Sequence, residues 1–592
     1  MSILRNIGRL ALRVQGGFVF CWSACVLQTP RCIGLLASCL SLAASAAAAQ
    51  VAPPTLPQSI QPGRALQQPL QAPVPSGPGG AVELPAPVDG APPQGAEGLT
   101  FTLRDVAISG ATVYPAAALR PFYEKSIGQT VSLADVYRWA AEITQKYRAS
   151  GYVLSQVLAP QQRIDGGVVR LVVVEGFVDQ VTIKGVSDRR LQAIADHIKR
   201  YKPLTAVVLE RYLLLANDLP GLSVQGVLSP SATTPGAADL TLTARRKTTD
   251  ASLEVDNFGT AYQGPWQGTA TVGVNGLLGQ DERVALRYTS AGDTRELGVA
   301  GLDIALPVGS NGTEVVVAAS HIEGHPGYAL TPFDVHTVGN GFSLALQHPL
   351  IRSRAQNLTL SATFAYLDST TTLNIPSSSD DKVRALRFTA AYSLIDGFGG
   401  RNAVTAEVSE GLPVLGYTRK GAALASRAGA SNDFTKTVIS ASRLQDLGQG
   451  FALLGALSAQ TSFGDRLLSS EQFGLGGPVF GRGYDPSEIT GDSGVAGKVE
   501  LQKNLVVPDT HFPAQLFGFY DAGEVFSQAS TDGVPARQSL ASTGGGVRLD
   551  IGHGVTSTLF AAKPLTRDVA AEIGHVSDPK GVRAYFMLSA SF

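Results

Sequence analysis

The chain has 592 residues, of which 44% are hydrophobic and only 16% are charged, and its formal net charge is −1 at pH 7. A chain this close to neutral lacks the basic bias of nucleic-acid-binding proteins, so nucleic-acid binding is not indicated. All four cysteines precede residue 40, so loss of the N-terminus would remove every candidate disulfide and cysteine–metal site.

The N-terminal segment has the pattern of a signal peptide. Arginines precede an apolar run between Cys32 and Leu42, and the small residues of "AASAAAAQ" suit cleavage near Ala49. The letters "LASC", ending at Cys39, resemble a lipoprotein cleavage box, but the apolar run continues past that cysteine and favours the first interpretation. Residues 1–49 are therefore predicted to be the signal peptide of an exported protein.

Residues 50–98 are predicted to form a semi-rigid, extended linker. This stretch holds twelve prolines, which is too many for a packed core and typical of an extended spacer. Beyond the signal peptide, no stretch reaches the roughly 18 uninterrupted apolar residues that a membrane helix needs. An exported, mildly hydrophobic chain of this kind has the composition of a transmembrane β-barrel.

Residues 99–246 are predicted to form two small α+β modules, 99–178 and 179–246. In the first, a strand "FTLRDVAISG" and a helical piece around "PAAALRPFYEKSIG" precede a helix that begins after Ser132 and ends at Gly151. The strands "YVLSQVLAP" and "VVRLVVVEG" then flank an Asp-Gly hairpin signal. The same β-α-α-β-β order recurs from "FVDQVTIKG" to "ADLTLTARR", which indicates an internal repeat.

Residues 247–592 alternate with the period of strands. Over residues 358–366 every second side chain is apolar, as in a strand between lipid and water. These positions are Leu358, Leu360, Ala362, Phe364 and Tyr366. The last strand, "AYFMLSASF", ends on an aromatic residue, which is typical of bacterial outer-membrane barrels. At roughly 20 residues per strand and connection, an even number of strands near 16 is predicted, closed because no sheet edge can face lipid.

The stretch over residues 480–494, "FGRGYDPSEITGDSG", shows neither helical nor strand periodicity. It places Arg482 between Gly481 and Gly483, and no helix or strand is predicted there. Glycine on both sides of an arginine would let the backbone take positive φ and approach another surface closely.

Four segments in chain order resemble the two-partner secretion transporters, a family of the wider Omp85 group. They are "YRASGYVLSQVLAPQQRIDGGVVRLVVVEGFVDQVTIKG", "VDNFGTAYQG", "LGGPVFGRGYDPSEITGDSGVAGKVEL" and "FGFYDAGEVF". They are similar, respectively, to the first POTRA domain and its junction, the family's entry into its barrel, loop 6, and a later strand motif F-x-D-x-G. The resemblance covers residues from about 100 to 592.

The resemblance implies a site inside the barrel. In the Omp85 group the loop-6 arginine folds back into the lumen and meets an acidic residue on the barrel wall. By motif match the site comprises Arg482, Gly483 and Tyr484, in a loop near residues 473–497, and the wall residues Phe519, Asp521 and Gly523. The Arg482 guanidinium would bind the Asp521 carboxylate through two parallel hydrogen bonds. Gly481 stands where the family commonly has a β-branched residue.

The resemblance also implies a fold class and a function. The fold is a membrane β-barrel of about 16 antiparallel strands preceded by two periplasmic POTRA domains. The function is a bacterial outer-membrane pore, surrounded by outer-membrane lipid, that exports a large TpsA-type exoprotein of the haemolysin or adhesin kind, bound by the POTRA domains. Enzyme activity, a cofactor, a metal and nucleic-acid binding are not expected.

Two alternative functions remain open at this point. An assembly factor of the same superfamily would insert other barrels, but such a factor would usually carry more than two POTRA modules. A passive diffusion porin is a less favoured alternative, because a porin has no need of periplasmic modules.

Two short motifs suggest catalysis or metal binding. The "GDSG" around Ser493 resembles the nucleophile loop of chymotrypsin-like proteases, but no partner histidine motif accompanies it. His321 and His325 have metal-like spacing, but Gly324 and Pro326 prevent a helix that would bring them onto one face. A solvated barrel loop is the favoured interpretation of these histidines.

Relatives in the family carry an N-terminal helix that occupies the pore ahead of the first POTRA domain. The proline-free stretches of residues 50–98 are too short or too rich in glycine for a long helix. Two alternatives follow: a short helix near "GRALQQ", or no such helix.

Overall fold

The computed structural model describes residues 56–66, 91–186, 188–234, 236–374, 378–506, 512–528 and 535–592. The predicted signal peptide, with Cys39, and the central part of the predicted linker lie outside the described residues. Within the described ranges, no helix is both long enough and apolar enough to cross a membrane.

The α-helices follow the capping signals of the sequence. They cover Pro62–Leu66, Ala116–Leu119, Leu133–Ala149, Arg189–Lys199 and Ala206–Asp218, and 3₁₀ turns cover Gln58–Ile60, Ala96–Gly98, Arg120–Phe122, Glu124–Ser126, Tyr328–Phe333, Ser469–Glu471 and Ala570–Glu572. Ser132 caps its helix by accepting from the backbone N–H of Asp135, whose carboxylate accepts in turn from the backbone of Ser132. Gly151 has φ 87° beyond the end of that helix, so both predicted ends are confirmed.

Two three-stranded sheets have the same topology. The strands of this region are β1 Thr100–Thr102, β2 Asp105–Ser109, β3 Thr130–Ser132, β4 Gln156–Leu158, β5 Val168–Val174, β6 Val178–Gly185, β7 Leu222–Pro230 and β8 Ala238–Arg246. The orders are β2-β5-β4 and β6-β8-β7. In each sheet the central strand is parallel to the first strand and antiparallel to the other, which confirms the predicted internal repeat.

The first module departs from the sequence prediction in two places. The predicted strand "FTLRDVAISG" is two strands, because the backbone N–H groups of Leu103 and Arg104 donate to Gln129 and Gly167 and separate β1 from β2. The predicted helix in "PAAALRPFYEKSIG" ends at Leu119 and continues as 3₁₀ turns. Pro121 has no N–H with which to continue an α-helix.

The second module is fixed to one end of the barrel by ion pairs and hydrogen bonds. Arg190 lies 3.0 Å from Asp281 in the turn after β10, and Arg246 binds both Asp188 and Asp281. Asp218 pairs with Arg352 on the barrel at 2.7 Å. We call this the near end of the barrel, and the opposite end the far end.

Sixteen antiparallel strands close into one barrel, which confirms the predicted number and closure. They are β9 Thr249–Asp256, β10 Gln267–Asn275, β11 Arg283–Ala291, β12 Gly298–Val308, β13 Thr313–Gly324, β14 His336–Arg352, β15 Gln356–Thr372, β16 Ser378–Ile395, β17 Gly400–Gly411, β18 Thr435–Gly448, β19 Phe451–Thr461, β22 Ser493–Val506, β23 Pro513–Phe526, β24 Arg537–Gly552, β25 Val555–Pro564 and β26 Arg583–Ser591. The ring closes where β26 pairs with β9.

The alternating apolar positions form the outer surface. Phe364 and Ala362 of β15 pair with Leu344 and Leu346 of β14, and those two leucines are exposed. Since side chains alternate across a strand, the intervening residues of β15 face the lumen. The C-terminal Phe592 is also exposed, and its carbonyl accepts a hydrogen bond from the Lys247 ammonium at 2.7 Å.

The connection between β19 and β22, residues 462–492, folds back into the lumen from the far end. We call it loop 6. It contains a two-stranded hairpin of β20 Phe473–Leu475 and β21 Ile489–Gly491. The prediction that residues 480–494 hold no strand is therefore wrong at their C-terminal end. The partner strand of the hairpin lies outside that stretch, so no local periodicity reveals it.

Candidate functional site in the barrel lumen

Strands β22 and β23 present the acidic residues of the site to the lumen. Lys498 pairs with Asp521 and Glu500 pairs with Phe519 across these strands, so all four side chains lie on one face of the sheet. Loop 6 covers this face, and both carboxylates are buried beneath it.

Arg482 of loop 6 binds these two carboxylates at once. Its Nε donates to Asp521 Oδ2 at 3.0 Å, and its Nη2 donates to Oδ1 at 2.9 Å. Its Nη1 donates to Glu500 Oε2 at 2.6 Å. The backbone N–H of Arg482 also donates to Asp521 Oδ2 at 3.0 Å. A bidentate contact of this kind fixes the direction of the guanidinium as well as its position.

Aromatic rings complete the surroundings of the arginine. The Arg482 guanidinium carbon lies 3.5 Å from the centre of the Phe519 ring, a cation–π geometry. Arg548 repeats this arrangement one step along the wall, 3.9 Å from the centre of Phe517, and binds Glu500 at 2.8 Å. Asp521, Arg482, Glu500 and Arg548 therefore alternate in charge, and each of these four has an opposite charge beside it.

The two glycines beside Arg482 have different functions. Gly481 has φ 83°, a conformation that favours glycine over a β-branched residue. Gly483 needs no positive φ, but a Cβ there would lie 2.9 Å from the backbone nitrogen of Pro564 and 3.0 Å from Ser542 Cβ. Gly483 thus permits the close approach of loop 6 to the wall.

Tyr484 and Gly523 fix the loop on either side of the ion pair. The Tyr484 hydroxyl donates to the carbonyl of Ala541 at 3.1 Å and accepts from the backbone N–H of Thr566 at 3.2 Å. A Cβ on Gly523 would lie 2.7 Å from Leu475 of loop 6, so glycine leaves room for that side chain. All six site residues predicted from the family resemblance thus lie in one contact region.

Glu500 belongs to the site but was not predicted. It lies in "GKVELQKN", where Lys498, Glu500 and Gln502 alternate with apolar residues. This alternation indicates a lumen-facing polar row, but it does not by itself distinguish Glu500 from its neighbours. The pairing of β22 with the F-x-D-x-G strand supplies that information.

Residues 56–66 lie inside the barrel beside loop 6. Ile60 is fully buried with Leu330 and Val335, and Arg64 donates to the carbonyl of Ser469 at 2.7 Å and to Ser487 Oγ at 3.1 Å. The prediction of an extended linker is wrong for this part, which follows the first alternative for "GRALQQ". Pro62 starts the short helix, where its fixed φ is favourable and its missing N–H has no cost.

The side chains of the two motifs that suggest catalysis or metal binding have hydrogen-bonding or stacking partners in the structure. Ser493 Oγ accepts from the backbone N–H of Ser462 at 3.2 Å, and the neighbouring Asp492 binds Arg427 at 2.5 Å. His321 Nδ1 lies 2.9 Å from Asn340 Oδ1, and His325 stacks on His336. Across the part of the chain that the structure describes, no three His, Cys, Asp or Glu side chains are arranged to hold a metal ion.

Glu488 is a half-buried acid on the returning limb of loop 6. The backbone N–H of Ala570 donates to its Oε1 at 2.7 Å. Burial raises the pKa of Glu488 from its ordinary 4.5 to about 7, and the charge of Asp485 acts in the same direction. Arg567 and Arg583 act against this rise in pKa, so the side chain is poised to change charge near neutral pH.

Two family models match this chain. The model for the haemolysin secretion/activation protein ShlB/FhaC/HecB matches residues 236–549, and the model for the ShlB-type POTRA domain matches residues 101–176. The first match covers more than half of the chain and contains the whole Arg482 site.

Curated proteins and solved structures resemble the chain over most of its length. The heme/hemopexin transporter protein HuxB of Haemophilus influenzae is 24% identical over 497 residues, which are 80% of this chain and 85% of HuxB. The outer membrane transporter CdiB of Escherichia coli is 25% identical over 434 residues, 69% of this chain and 70% of CdiB. The solved structure of CdiB from Escherichia coli has a TM-score of 0.68 at 20% identity and covers 96% of this chain and 100% of that chain. CdiB from Acinetobacter baumannii has a TM-score of 0.58 at 15% identity, with 94% and 98% covered.

Proposed function

The chain belongs to the family of haemolysin secretion/activation proteins ShlB/FhaC/HecB, and from this premise we propose that it exports one large secreted partner in extended form. It is an outer-membrane transporter of two-partner secretion, with its modules in the periplasm and its far end facing outward. The observation that carries the proposal is a closed barrel whose own loop 6 is bound in the lumen by Arg482, Asp521 and Glu500.

Export requires that the lumen open. A barrel of 16–18 strands is wide enough to leave an aqueous channel, but loop 6 and residues 56–66 lie in this lumen. Loop 6 is outside the 16-strand ladder, so it can leave the wall without breaking interstrand hydrogen bonds. We expect the Arg482 contacts to hold the closed state and to reform after the partner has passed.

The modules supply strand edges for recognition of the partner. Strands β2 and β4 are the outer strands of the first sheet, and β6 and β7 are those of the second. An extended client can add a strand to such an edge, with main-chain hydrogen bonds giving affinity and side-chain pockets giving selectivity. This supports binding of a TpsA-type exoprotein by the POTRA domains.

The alternative functions differ in what the modules and the lumen would do. An assembly factor would insert other barrels and would usually carry more POTRA modules than the two that the described residues form. A passive porin would need neither the modules nor a loop bound by buried ion pairs. The bound loop 6 favours a gated pore over an open one.

The purified protein is expected to conduct ions in planar bilayers, with unstable current because loop 6 moves between bound and free positions. Its migration on a gel should shift on heating, as it does for closed barrels whose strands unfold only when heated. A water-soluble, non-conducting monomer in the absence of detergent would contradict the pore.

The open fraction of this channel is expected to rise as pH increases from 4.5 to 7. The pKa of Glu488 in the bound loop is about 7, above its ordinary 4.5, so the bound loop holds the proton more tightly than the free loop. Protonation of Glu488 stabilises the bound loop fully at pH below the ordinary pKa of 4.5, and this stabilisation is lost as pH rises through the raised pKa of about 7. The ratio of free to bound loop 6 should rise by up to roughly three hundredfold, because the pKa of Glu488 lies about 2.5 above its ordinary 4.5 in the bound loop.

Glu488→Gln should remove this pH dependence, since the amide keeps the shape of the protonated acid without its titration. The charged and titratable groups that face Glu488 all remain in the variant: Asp485, Arg567, Arg583, Tyr262 and Tyr585. A Glu488→Gln channel with the pH profile of the unmodified protein would assign the dependence to another group.

A further inference from the structure

A second buried ion cluster holds loop 6 at a different sector of the barrel wall. Its centre is Glu471 in the 3₁₀ turn Ser469–Glu471, whose side chain is fully buried. Arg387 of β16 donates from Nη2 to Oε1 at 2.8 Å and from Nη1 to Oε2 at 3.1 Å. Lys436 of β18 lies 2.7 Å from Oε2. We call Glu471, Arg387 and Lys436 the second anchor.

The backbone of the same residue is also fixed. The carbonyl of Glu471 accepts from Lys436 Nζ at 3.1 Å and from Gln460 Nε2 at 3.0 Å. Burial alone would raise the pKa of Glu471, but the charges of Arg387 and Lys436 hold it below its ordinary value. Glu471 is therefore a carboxylate in the bound loop.

The second anchor is distinct from the Arg482 site. Arg482 contacts β22 and β23, whereas Glu471 contacts β16 and β18, which lie elsewhere in the strand order. Lys436 is the second residue of β18, so this anchor lies at the far end of the lumen. Loop 6 thus has ionic contacts with the wall near its tip, through Arg482 and through Asp485, which pairs with Arg583 of β26 at 2.5 Å, and another on its incoming limb at Glu471.

A contribution to barrel stability is the simplest alternative reason for such a cluster. Buried ion pairs, however, often add little net stability over apolar residues of the same shape, because both ions lose their hydration. Their geometry instead specifies one arrangement of the groups that they join. Here the cluster joins loop 6, which lies outside the 16-strand ladder, to two strands within the ladder. The cluster therefore determines the position of loop 6 against the wall.

We infer that Glu471 is a positioning residue, and that loop 6 leaves the lumen only after both the Arg482 contacts and the second anchor have broken. The inference rests on the proposed function only in requiring that loop 6 move during export. Either anchor alone holds part of the loop, so a single break produces partial opening and a double break produces a larger opening.

The test measures exposure of loop 6 directly, without export. Ser470 is buried next to Glu471, and every native cysteine precedes residue 40. Ser470→Cys therefore gives a single reporter in mature protein reconstituted into lipid vesicles. A membrane-impermeant maleimide should label this cysteine roughly tenfold faster or more when Glu471→Gln is added, because loss of a charge from a buried cluster leaves Arg387 and Lys436 without their carboxylate.

Glu407→Gln is the matched control. Glu407 lies 3.7 Å from the same arginine, Arg387, but is part of β17 and not of loop 6. Labelling should stay slow in this variant. The barrel unfolding temperature should be equal in both variants, and the open fraction in planar bilayers should rise for Glu471→Gln and rise further when Arg482→Ala is combined with it.

Equal labelling rates with and without Glu471→Gln would overturn the inference, as would equal acceleration by Glu407→Gln. A fall in barrel unfolding temperature without selective labelling would assign the cluster to stability. If Glu471→Gln does not insert, Arg387→Gln and Lys436→Gln break the same anchor from the wall and should accelerate labelling. If export fails in cells while labelling behaves as expected, the result counts against the proposed function, and the inference about the second anchor still stands.

Discussion

Replacing Arg482 by alanine is expected to leave the barrel inserted and to reduce export of the secreted partner by roughly tenfold or more. Truncation removes the cation that Asp521 and Glu500 share, and breaking a buried ion pair costs about 3–5 kcal/mol. The free energy of the variant is lowest when loop 6 leaves the wall, because water then hydrates both carboxylates. The interstrand ladder is unaffected, so the barrel still inserts. Loop 6 no longer returns to its bound position after leaving the wall, however, and the proposed export cycle requires that return.

Asp521→Ala is expected to have a smaller effect than Arg482→Ala. In that variant Arg482 keeps Glu500 at 2.6 Å, so the loop retains one of its two ionic contacts at the tip. The double variant Arg482→Ala/Asp521→Ala should cost less than the sum of the two singles, which is the result expected of groups in direct contact. Additive losses would mean that the two residues act separately.

Export is measured as partner protein in the medium relative to the periplasm, with heat-modifiable barrel measured in the same cells. Arg537→Ala is a matched control, because it also removes an arginine from a carboxylate, Glu524, across β23 and β24. The Arg537 side chain is 72% exposed, and exposed pairs contribute little. Normal export by Arg482→Ala would show that the tip contacts do not control the pore.

The parts of the fold that have local causes follow from the sequence. Ser132 predicts the start of a helix because the capping box needs only neighbouring residues. The alternation over residues 358–366 predicts a membrane strand for the same reason, and chain length divided by strand length gives the strand number. The repeated module is visible because each copy carries its own complete pattern.

The lumen contacts do not follow from local pattern. Arg64 and Ser487 are 423 positions apart, and Arg387 and Glu471 are 84 apart. Every lumen-facing polar residue has the same alternating signature, so Glu500 and Lys436 resemble polar residues that loop 6 never touches. Asp521 could be predicted only because it lies in a motif similar to one with a known position in relatives.

Deleting residues 99–175 is expected to abolish export while the barrel remains inserted. The first module has its own hydrophobic core, which includes Trp139, Ile143 and Tyr147. The ion pairs described between modules and barrel come from the second module, through Arg190, Arg246 and Asp218. The second module therefore keeps its ion pairs with the barrel when the first is removed, although it loses the packing of Leu154 and the hydrogen bond from Ala206 N–H to the Gly151 carbonyl. The client loses the strand edges of the first module.

The boundary of this deletion is set by contacts at the junction. Val178 is fully buried in the core of the second module and pairs with Ala238. The carbonyls of Gly176 and Phe177 accept from the backbone N–H groups of Leu204 and Ala238 at 3.0 and 2.9 Å. A deletion that extended to residue 178 would damage the second module, and its effect on export would not report recognition alone.

In cells that carry the deletion, the partner should accumulate in the periplasm, and the purified variant should still conduct in planar bilayers and shift on heating. The matched control is Arg163→Ala/Asp165→Ala in the β4–β5 hairpin, where both side chains are largely exposed at 89% and 76%. That change leaves the strand edges intact, so export should be normal, because main-chain groups on those edges supply the affinity. Undiminished export after the deletion would refute recognition by the first module, and loss of the inserted barrel would assign that module to assembly instead.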